Sequence, residues 1–207
     1  MPASQRFDFL VIGSGIAGLF YALRVAEAGQ VAIVTKKAAT DSATDWAQGG
    51  IAAVVAPEDS FEDHVRDTLN AGAGLCREDV VRAVVERGPH MIEALRKHGV
   101  EFDRSVDPMQ NVEFDLGREG GHTKRRVLHH RDATGHEIER SLLAQVRAHP
   151  RIRMFENCCA VDLITSHRAG RNEPDRALGA YVLENASGRV RRFLAPITML
   201  ATGGAGK

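Results

Sequence analysis

The sequence of 207 residues is poor in cysteine, and the few cysteines it has follow no functional pattern. Cys76, Cys158 and Cys159 stand at spacings that fit neither a metal site nor a redox motif. Adjacent cysteines rarely bridge each other, because a disulfide needs well-separated Cα atoms. We therefore expect all three to be small buried side chains in a reduced, cytoplasmic setting.

The sequence also lacks an excess of charge and a long apolar run. Its 27 acidic residues balance 27 basic ones, which gives no electrostatic reason to expect nucleic acid or an acidic membrane surface as a partner. The longest clean apolar run, Ile51 to Ala56, is far shorter than the roughly 20 residues that cross a membrane as a helix. The apolar content of 43% is enough for a full core in one large domain, or in one domain with part of another.

What the sequence does contain is a glycine-rich turn between a strand and a helix. Apolar residues from Phe7 to Ile12 predict the strand, and Leu19 to Ala28 predict the helix. Between them lies Gly13-Ser14-Gly15-Ile16-Ala17-Gly18, and a second strand is predicted at Val31 to Thr35. This order is typical of the βαβ unit that binds a dinucleotide. The alternative is a glycine-rich turn without a ligand.

Each glycine of this turn has its own purpose in the dinucleotide interpretation. Gly13 allows the tight turn, Gly15 lets the backbone approach a pyrophosphate, and Gly18 lets the helix pack against the strand. The pyrophosphate is then expected at the positive N-terminus of the helix, where free N–H groups point at it.

One part of the usual dinucleotide pattern is missing. The second strand commonly ends near an acidic residue that binds the adenosine ribose. Here the strand runs into Thr35, Lys36 and Lys37, with no acid before Asp41. A basic residue at this place can indicate the phosphate of NADP. The ribose can equally be held by the Thr35 hydroxyl or by backbone groups.

Hydrophobic periodicity divides the rest of the chain into helices and strands. The predicted helices span 60–69, 78–98 and 136–148, and Pro89 predicts a break or kink near Gly88 in the second of them. The predicted strands span 152–155, 160–165, 178–184 and 193–200, the last interrupted at Pro196. Residues 101–124 are polar and rich in turns, which indicates an excursion away from the core.

The chain ends as it begins, with a strand that runs into a glycine turn, here Thr202-Gly203-Gly204. Ligands of a doubly wound sheet bind at the carboxyl ends of its strands, so both glycine turns can face one dinucleotide. A one-domain NAD dehydrogenase does not need the second turn, whereas a flavoprotein with a long embedded FAD often does.

Six short motifs follow one another along the chain. They are GSGIAG (13–18), AQGGIAA (47–53), REGGH (118–122) with RRVLH (125–129), DATG (132–135), AVDLI (160–164) and ATGGAGK (201–207). In this order and spacing they resemble the succinate dehydrogenase/fumarate reductase flavoprotein family and, within it, the L-aspartate oxidases. The resemblance covers the chain from Phe7 to Gly206.

The resemblance implies an α/β fold. We expect a Rossmann-like FAD-binding domain with a parallel sheet and flanking helices, followed by the start of an inserted substrate or capping region. Within residues 1–207, the fingerprint is expected at 7–37, the flavin loop at 38–56, the substrate-side excursion at about 100–131 and the return strands at 151–204. Since the chain ends at a central glycine turn, we expect it to be the N-terminal part of a longer enzyme. By itself it is expected to be inactive and to bind FAD weakly.

The resemblance also implies non-covalent FAD and argues against NADP. In succinate dehydrogenases, a histidine bonded to the flavin occupies the position held here by Ala43, and alanine has no nucleophilic atom. Lys36 matches the family's residue at the end of the second strand, so no acid is needed there. The residues expected to bind FAD are Gly13, Ser14, Gly15, Ile16, Ala17, Gly18, Lys36, Ala43, Thr44, Asp45, Trp46, Ala47, Gln48, Gly49, Gly50, Cys159, Ala160, Thr202, Gly203 and Gly204.

Glu119 is the sharpest substrate-site prediction that the resemblance provides. An amino-acid substrate brings an ammonium group that succinate lacks, and a nearby carboxylate is its natural complement. The carboxylate can also help to remove a proton before hydride transfer. From spacing alone, Glu119 is a surface glutamate in a glycine loop. His122 is a second candidate for the substrate pocket.

The basic and histidine residues around Glu119 have plainer interpretations. Arg118, Lys124, Arg125 and Arg126 can form a patch for an anionic substrate, but for most of them a solvated or flavin-facing role is favoured. The histidines fit no familiar metal site, so no metal is expected; they are His122, His129, His130 and His136.

The implied reaction is the FAD-dependent oxidation of L-aspartate to iminoaspartate, with electrons passed to oxygen or fumarate. In the family this is the first step of de novo NAD biosynthesis, and the product passes to quinolinate synthase. One alternative is a soluble flavoprotein of the fumarate reductase type. A second is a truncated, non-catalytic dinucleotide-binding module.

Overall fold

The computed structural model describes residues 4–106, 113–168, 170 and 174–204. The chain forms two compact units, Met1–Asp45 with Glu139–Lys207, and Trp46–Ile138. The strands are β1 (Ser4–Arg6), β2 (Phe9–Ile12), β3 (Val31–Val34), β4 (Ile51–Ala52), β5 (Leu116–Gly117), β6 (Val127–Leu128), β7 (Ile152–Phe155), β8 (Cys158–Thr165), β9 (Ala177–Glu184), β10 (Arg189–Leu194) and β11 (Ile197–Leu200). The helices are α1 (Ile16–Val25), α2 (Phe61–Ala71), α3 (Glu78–Lys97) and α4 (Thr134–Ala148).

The first unit is built on a parallel sheet with the strand order β11-β2-β3-β7. Its register aligns Phe9 with Val31 and Ile12 with Val34. Every residue of β3 is buried, as expected for a parallel strand that is covered on both faces. The predicted α/β class is confirmed, and so are the strands predicted at the start of the chain and at 152–155.

The glycine turn that joins β2 to α1 is a place of very close backbone approach. Gly13 has a φ of +117°, and a Cβ on this residue would lie 2.1 Å from the carbonyl oxygen of Ala201. A Cβ on Gly18 would lie 2.1 Å from the carbonyl oxygen of Gly13. The strand ends and the start of α1 can therefore pack as they do only without these side chains, as the sequence predicts.

A second sheet of the first unit has the order β1-β10-β9-β8 and shares an apolar core with the parallel sheet. Three phenylalanine rings lie in this core. The ring centroid of Phe7 is 5.9 Å from that of Phe155 and 6.0 Å from that of Phe193, and the latter two are 4.8 Å apart. Phe155 meets both other rings edge-to-face, whereas Phe7 and Phe193 are stacked, and such aromatic pairs add to the stabilisation from buried area.

The prediction for the last strand needs a correction. Instead of one interrupted strand over 193–200, the structure has β10 and β11, which belong to different sheets. Pro196 lies between them and has no N–H to give to a strand ladder. The chain therefore leaves one sheet and enters the other at the proline.

The second unit contains α2, α3 and a small antiparallel sheet of order β4-β6-β5. Ser60 caps α2, and its hydroxyl accepts a hydrogen bond from the N–H of Asp63 at 3.1 Å. Of the break or kink predicted near Gly88, the break is wrong, because α3 continues through Pro89. A proline removes one intrahelical hydrogen bond, and the buried side chains of Val85 and Ile92 hold the helix on either side of it.

A helix that crosses a lipid bilayer needs roughly 20 mostly apolar residues. Within the described ranges, no helix is both long and apolar enough to cross a membrane.

The Gly13→Ala variant should lower the free energy of unfolding by about 2 kcal/mol or more, because its Cβ would overlap the Ala201 carbonyl at a strained φ. Gly204→Ala is the matched control, since nothing lies within 4 Å of a Cβ at that position. Thermal unfolding of both variants makes the comparison. A Gly13→Ala protein with the melting temperature of the wild type would contradict the close approach of Gly13 to the Ala201 carbonyl.

Candidate functional site

The N-terminus of α1 in the first unit is open to an anion. Its N-cap, Gly15, has extended backbone and no capping side chain, and the first turn contains no acidic residue. The N–H of Ile16 donates to the hydroxyl of Thr44 at 3.1 Å, while Ala17 is exposed. The first N–H groups of a helix have no partner within the helix. This terminus therefore fits a diphosphate.

Ser14 turns its side chain away from this terminus and into the protein. The Ser14 hydroxyl is within hydrogen-bond distance of Thr35 Oγ1 (3.0 Å) and of the Ala39 carbonyl (3.2 Å). Both Ser14 and Thr35 are buried. Only the peptide group of Ser14 is thus placed to contact a ligand, and a ribose held by the Thr35 hydroxyl is not supported. Lys36, the next residue, is exposed at the end of β3.

The predicted contact at Cys159 and Ala160 lies on an edge strand. Among the described strands, β8 pairs only with β9. The N–H of Cys158 points the other way and donates to the Thr35 carbonyl at 2.9 Å. Peptide groups two residues apart on a strand point in the same direction, so the N–H of Ala160 is also expected to point away from β9.

The second glycine turn lies beside the first. The N–H of Ala201 donates to the carbonyl of Ile12 at 2.8 Å, which continues the ladder between β11 and β2 past the ends of both strands. Residues 202–204 follow and are exposed. The structure thus brings the predicted residues from the start and the end of the chain to one edge of the parallel sheet.

The glycine-rich segment Ala47–Gly50 belongs to the second unit and is held there by the DATG motif. The hydroxyl of Thr134 donates to the carbonyl of Gly49 at 2.6 Å, and the N–H of Gly135 donates to the carbonyl of Ala47 at 2.9 Å. The sequence identified the motif only as a helix start and a family anchor. Its holding role was missed, since nothing in the local pattern pairs residues 85 positions apart.

Glu119 begins a tight turn at the end of the hairpin of β5 and β6. The N–H of His122 donates to the Glu119 carbonyl at 3.2 Å, and Gly121 has a φ of +87°. A hydrogen bond over four residues with a positive φ at the third is typical of a type II turn, which explains the glycine. The carboxylate of Glu119 is exposed at this turn.

The structure brings Glu119 together with Gly49. A Cβ on Gly49 would lie 3.2 Å from Oε1 of Glu119, so the carboxylate rests directly against the glycine-rich segment. A cavity of about 400 Å³ opens at this place in the second unit. Its lining includes charges of both signs, among them Arg118, Glu119 and Arg131, together with His129.

Arg126 differs from the prediction for the basic residues of this region. Its side chain has no exposed surface, rather than being solvated or open to a ligand. Its guanidinium contacts both carboxylate oxygens of Asp59 at 2.8 Å and Oδ2 of Asp67 at 2.6 Å. Asp67 also accepts hydrogen bonds at 2.8 Å from the N–H and the hydroxyl of Thr123. The buried network therefore fastens the strand after the Glu119 turn to α2 and its cap.

The charges of this network set the ionisation of its members. Burial by itself would raise the pKa of Asp67, but the hydrogen bonds from Thr123 and Arg126 outweigh it and hold that pKa below its ordinary value. For His64, burial and then the nearby positive charge of Arg126 lower the pKa. His64 is thus neutral in the folded protein at neutral pH.

His122 packs edge-on against His64, with 5.9 Å between the ring centroids. The Nδ1 atoms of both rings are buried and accept or donate no hydrogen bond within the described part of the chain. His129, by contrast, lies 3.1 Å from Asp103 through its Nδ1. Among the described residues, no three or more of His, Cys, Asp and Glu form a group suited to a metal ion.

Comparison with known proteins agrees with this geometry. The model of the FAD binding domain family matches residues 8–207. L-aspartate oxidase 1 of Ralstonia nicotianae is 48% identical over 98% of this chain and 38% of its own length. L-aspartate oxidase of Pseudomonas aeruginosa is 47% identical over 100% of this chain and 39% of its own length. The chain therefore spans less than two fifths of these relatives.

A solved structure shows the same fold. A variant of Escherichia coli quinol fumarate reductase superposes with a TM-score of 0.87 at 28% sequence identity. The match covers 98% of this chain and 33% of that one.

The Arg126→Met variant should lose about 3–5 kcal/mol of unfolding free energy, because two buried carboxylates would be left without their partner. Arg82→Met is the matched control: Arg82 pairs with Glu62 at the surface, where solvent screens the ion pair, so its loss should be much smaller. Urea unfolding measures both. Equal losses in the two variants would show that burial is not the cause.

The stability of the second unit should fall as the pH drops below about 6.5, the ordinary pKa of histidine. The lowered pKa of His64 means that the unfolded chain takes up a proton which the folded one resists, so acid favours unfolding. Arg126 and His122 disfavour protonation of His64, and Asp59 and Asp67 favour it. The fall in unfolding free energy between pH 7 and pH 5 should be smaller in His64→Gln than in the wild type. The exposed His90→Gln should keep the wild-type slope.

Proposed function

Because this chain belongs to the FAD binding domain family, we propose that the protein oxidises L-aspartate to iminoaspartate with non-covalently bound FAD. The observation that carries the proposal is the exposed carboxylate of Glu119, which rests against Gly49 of the glycine-rich segment. Two L-aspartate oxidases at 47–48% identity support the choice of substrate.

The residues that would hold FAD follow from the two glycine turns of the first unit. The N–H groups at the start of α1 would bind the diphosphate, with the exposed turn at 202–204 beside it. The peptide group of Ala160 and the side chain of Lys36 would contact the adenosine half. Ala43 offers only a methyl group, so no covalent bond to the flavin forms there.

Glu119 would recognise what distinguishes an amino acid from a plain dicarboxylate. Its carboxylate would pair with the substrate ammonium and fix the orientation of Cα. It can also help to remove a proton from nitrogen, since the ammonium must become an amine before Cα–H can leave as hydride. When bound, FAD accepts that hydride. Arg118 and Arg131 in the same cavity would provide positive charge for the substrate carboxylates, and the backbone N–H of His122 closes the Glu119 turn.

The reaction would place this protein at the first step of de novo NAD biosynthesis. Electrons from the reduced cofactor would pass to oxygen or to fumarate, and iminoaspartate would be consumed by quinolinate synthase. A cytoplasmic location belongs to the same proposal. It is supported by Cys76, Cys158 and Cys159, which are free thiols, as a reducing compartment favours.

A fumarate reductase activity is the second candidate. The observation in its favour is the structural match to Escherichia coli quinol fumarate reductase. Such an enzyme would act on a dicarboxylate without an ammonium group, and Glu119 would then have no partner in the substrate. The two candidates therefore differ in the expected effect of removing the Glu119 charge.

The Glu119→Gln variant should lose about 10–100-fold in kcat/KM for L-aspartate, the value of one charge-assisted hydrogen bond. The protein is expressed from its complete reading frame, and flavin absorbance is followed without oxygen. L-aspartate should bleach the flavin, and D-aspartate and succinate should not. Glu86→Gln, an exposed glutamate on α3, is the matched control and should behave as wild type.

Two outcomes would contradict the proposal. A bound flavin that ignores L-aspartate, in a protein that reduces fumarate with an artificial donor, would favour the second candidate. Full L-aspartate turnover in Glu119→Gln would keep the activity and reject the role of the carboxylate.

A further inference from the structure

A buried glutamate of α4 is tied to the cofactor side of the first unit through Ser42. The hydroxyl of Ser42 donates to Oε2 of Glu139 at 2.6 Å. Glu139 is only 1% exposed. Hydrogen bonds from a hydroxyl to a carboxylate at this distance are among the stronger ones in proteins. The hydrogen bond to Glu139 therefore holds the Ser42 hydroxyl in a single orientation.

The fixed orientation of Ser42 has a consequence for the residues that follow it. A hydroxyl has one proton and two lone pairs. Because the proton goes to Glu139, the lone pairs face the backbone N–H groups of Thr44 (3.1 Å) and Asp45 (3.4 Å). The side chain of Ser42 thus closes the turn over residues 42–45. Glu139 determines that the Ser42 hydroxyl accepts, rather than donates, within this turn.

The turn in its own right contacts the start of α1. Oγ1 of Thr44 accepts the N–H of Ile16 at 3.1 Å, and a Cβ on Gly15 would lie 3.3 Å from the same oxygen. Three consecutive hydrogen bonds therefore lead from Glu139 through Ser42 and Thr44 to the first N–H of the helix. Thr44 satisfies that one N–H and leaves the next ones for a ligand.

We propose that Glu139 is a positioning residue for FAD. It does not touch the cofactor; it sets the direction of the Ser42 hydroxyl, and so holds Thr44 where it aligns the diphosphate-binding terminus of α1. The inference rests on the FAD cofactor of the family and is independent of the substrate.

FAD affinity of the apoprotein tests this inference, with the protein expressed from its complete reading frame and flavin fluorescence as the readout. Glu139→Leu and Ser42→Ala should each raise the Kd for FAD about tenfold, the effect of one lost hydrogen bond. Glu139→Gln should stay within about threefold of wild type, because its amide oxygen still accepts the Ser42 proton. The double variant Ser42→Ala with Glu139→Leu should bind FAD no more weakly than whichever single variant has the higher Kd.

The control is Glu137→Leu. Glu137 is buried on the same helix, but its carboxylate accepts the N–H of Glu101 in the second unit instead. The Glu137→Leu variant should have a lower melting temperature but an unchanged Kd for FAD. If Glu139→Leu does not fold, Ser42→Ala and Glu139→Gln carry the test by themselves.

Three results would overturn the inference. They are an unchanged Kd in Ser42→Ala, a tenfold loss in Glu139→Gln, and an equal weakening of FAD in Glu137→Leu. ADP has the diphosphate but no flavin, so the variants should lose affinity for ADP in parallel with FAD. An unchanged affinity for ADP would also reject the role of Glu139. No substrate enters the assay, so failure here leaves the proposed L-aspartate oxidation untouched.

Discussion

The contact between Gly13 and the Ala201 carbonyl is the constraint on which the cofactor side of this protein depends. Two neighbouring parallel strands end there, and the Ala201 N–H continues the ladder to Ile12 at 2.8 Å. Any side chain on Gly13 would occupy the position of the carbonyl oxygen. Since α1 begins directly afterwards, the same close approach determines where its N-terminus lies. The position of this helix terminus is therefore determined by backbone packing rather than by side chains.

Glycine-rich segments cannot be held by packed side chains, and here hydroxyl groups hold them instead. Ser14 faces Thr35 and the Ala39 carbonyl, while Thr44 accepts the first N–H of α1. In the second unit, Thr134 donates to Gly49. A short hydroxyl side chain adds little bulk and can fix a backbone group, which leaves the glycine surface open for a flat or charged ligand.

Around the Glu119 turn, buried charged side chains hold the backbone in place. Arg126 is enclosed with Asp59 and Asp67, and Asp67 also holds Thr123. Such a network is costly to bury and loses most of its value if one member is removed. The Glu119 carboxylate is exposed, whereas the strand that follows its turn is held to α2 by this buried network.

The sequence by itself determined the fold class, the first βαβ unit, most strands and the positions of the two glycine turns. These features depend on periodicity and on residues close together in the chain. Only the tertiary structure decided that Arg126 is buried, that α3 continues through Pro89 and that the Ser14 side chain turns inward. It also decided which groups hold the loops, since Arg126 lies 59 positions from Asp67, and Ser42 lies 97 from Glu139. Partners at such separations leave no local pattern, because they meet only when strands and helices from distant parts of the chain are packed together.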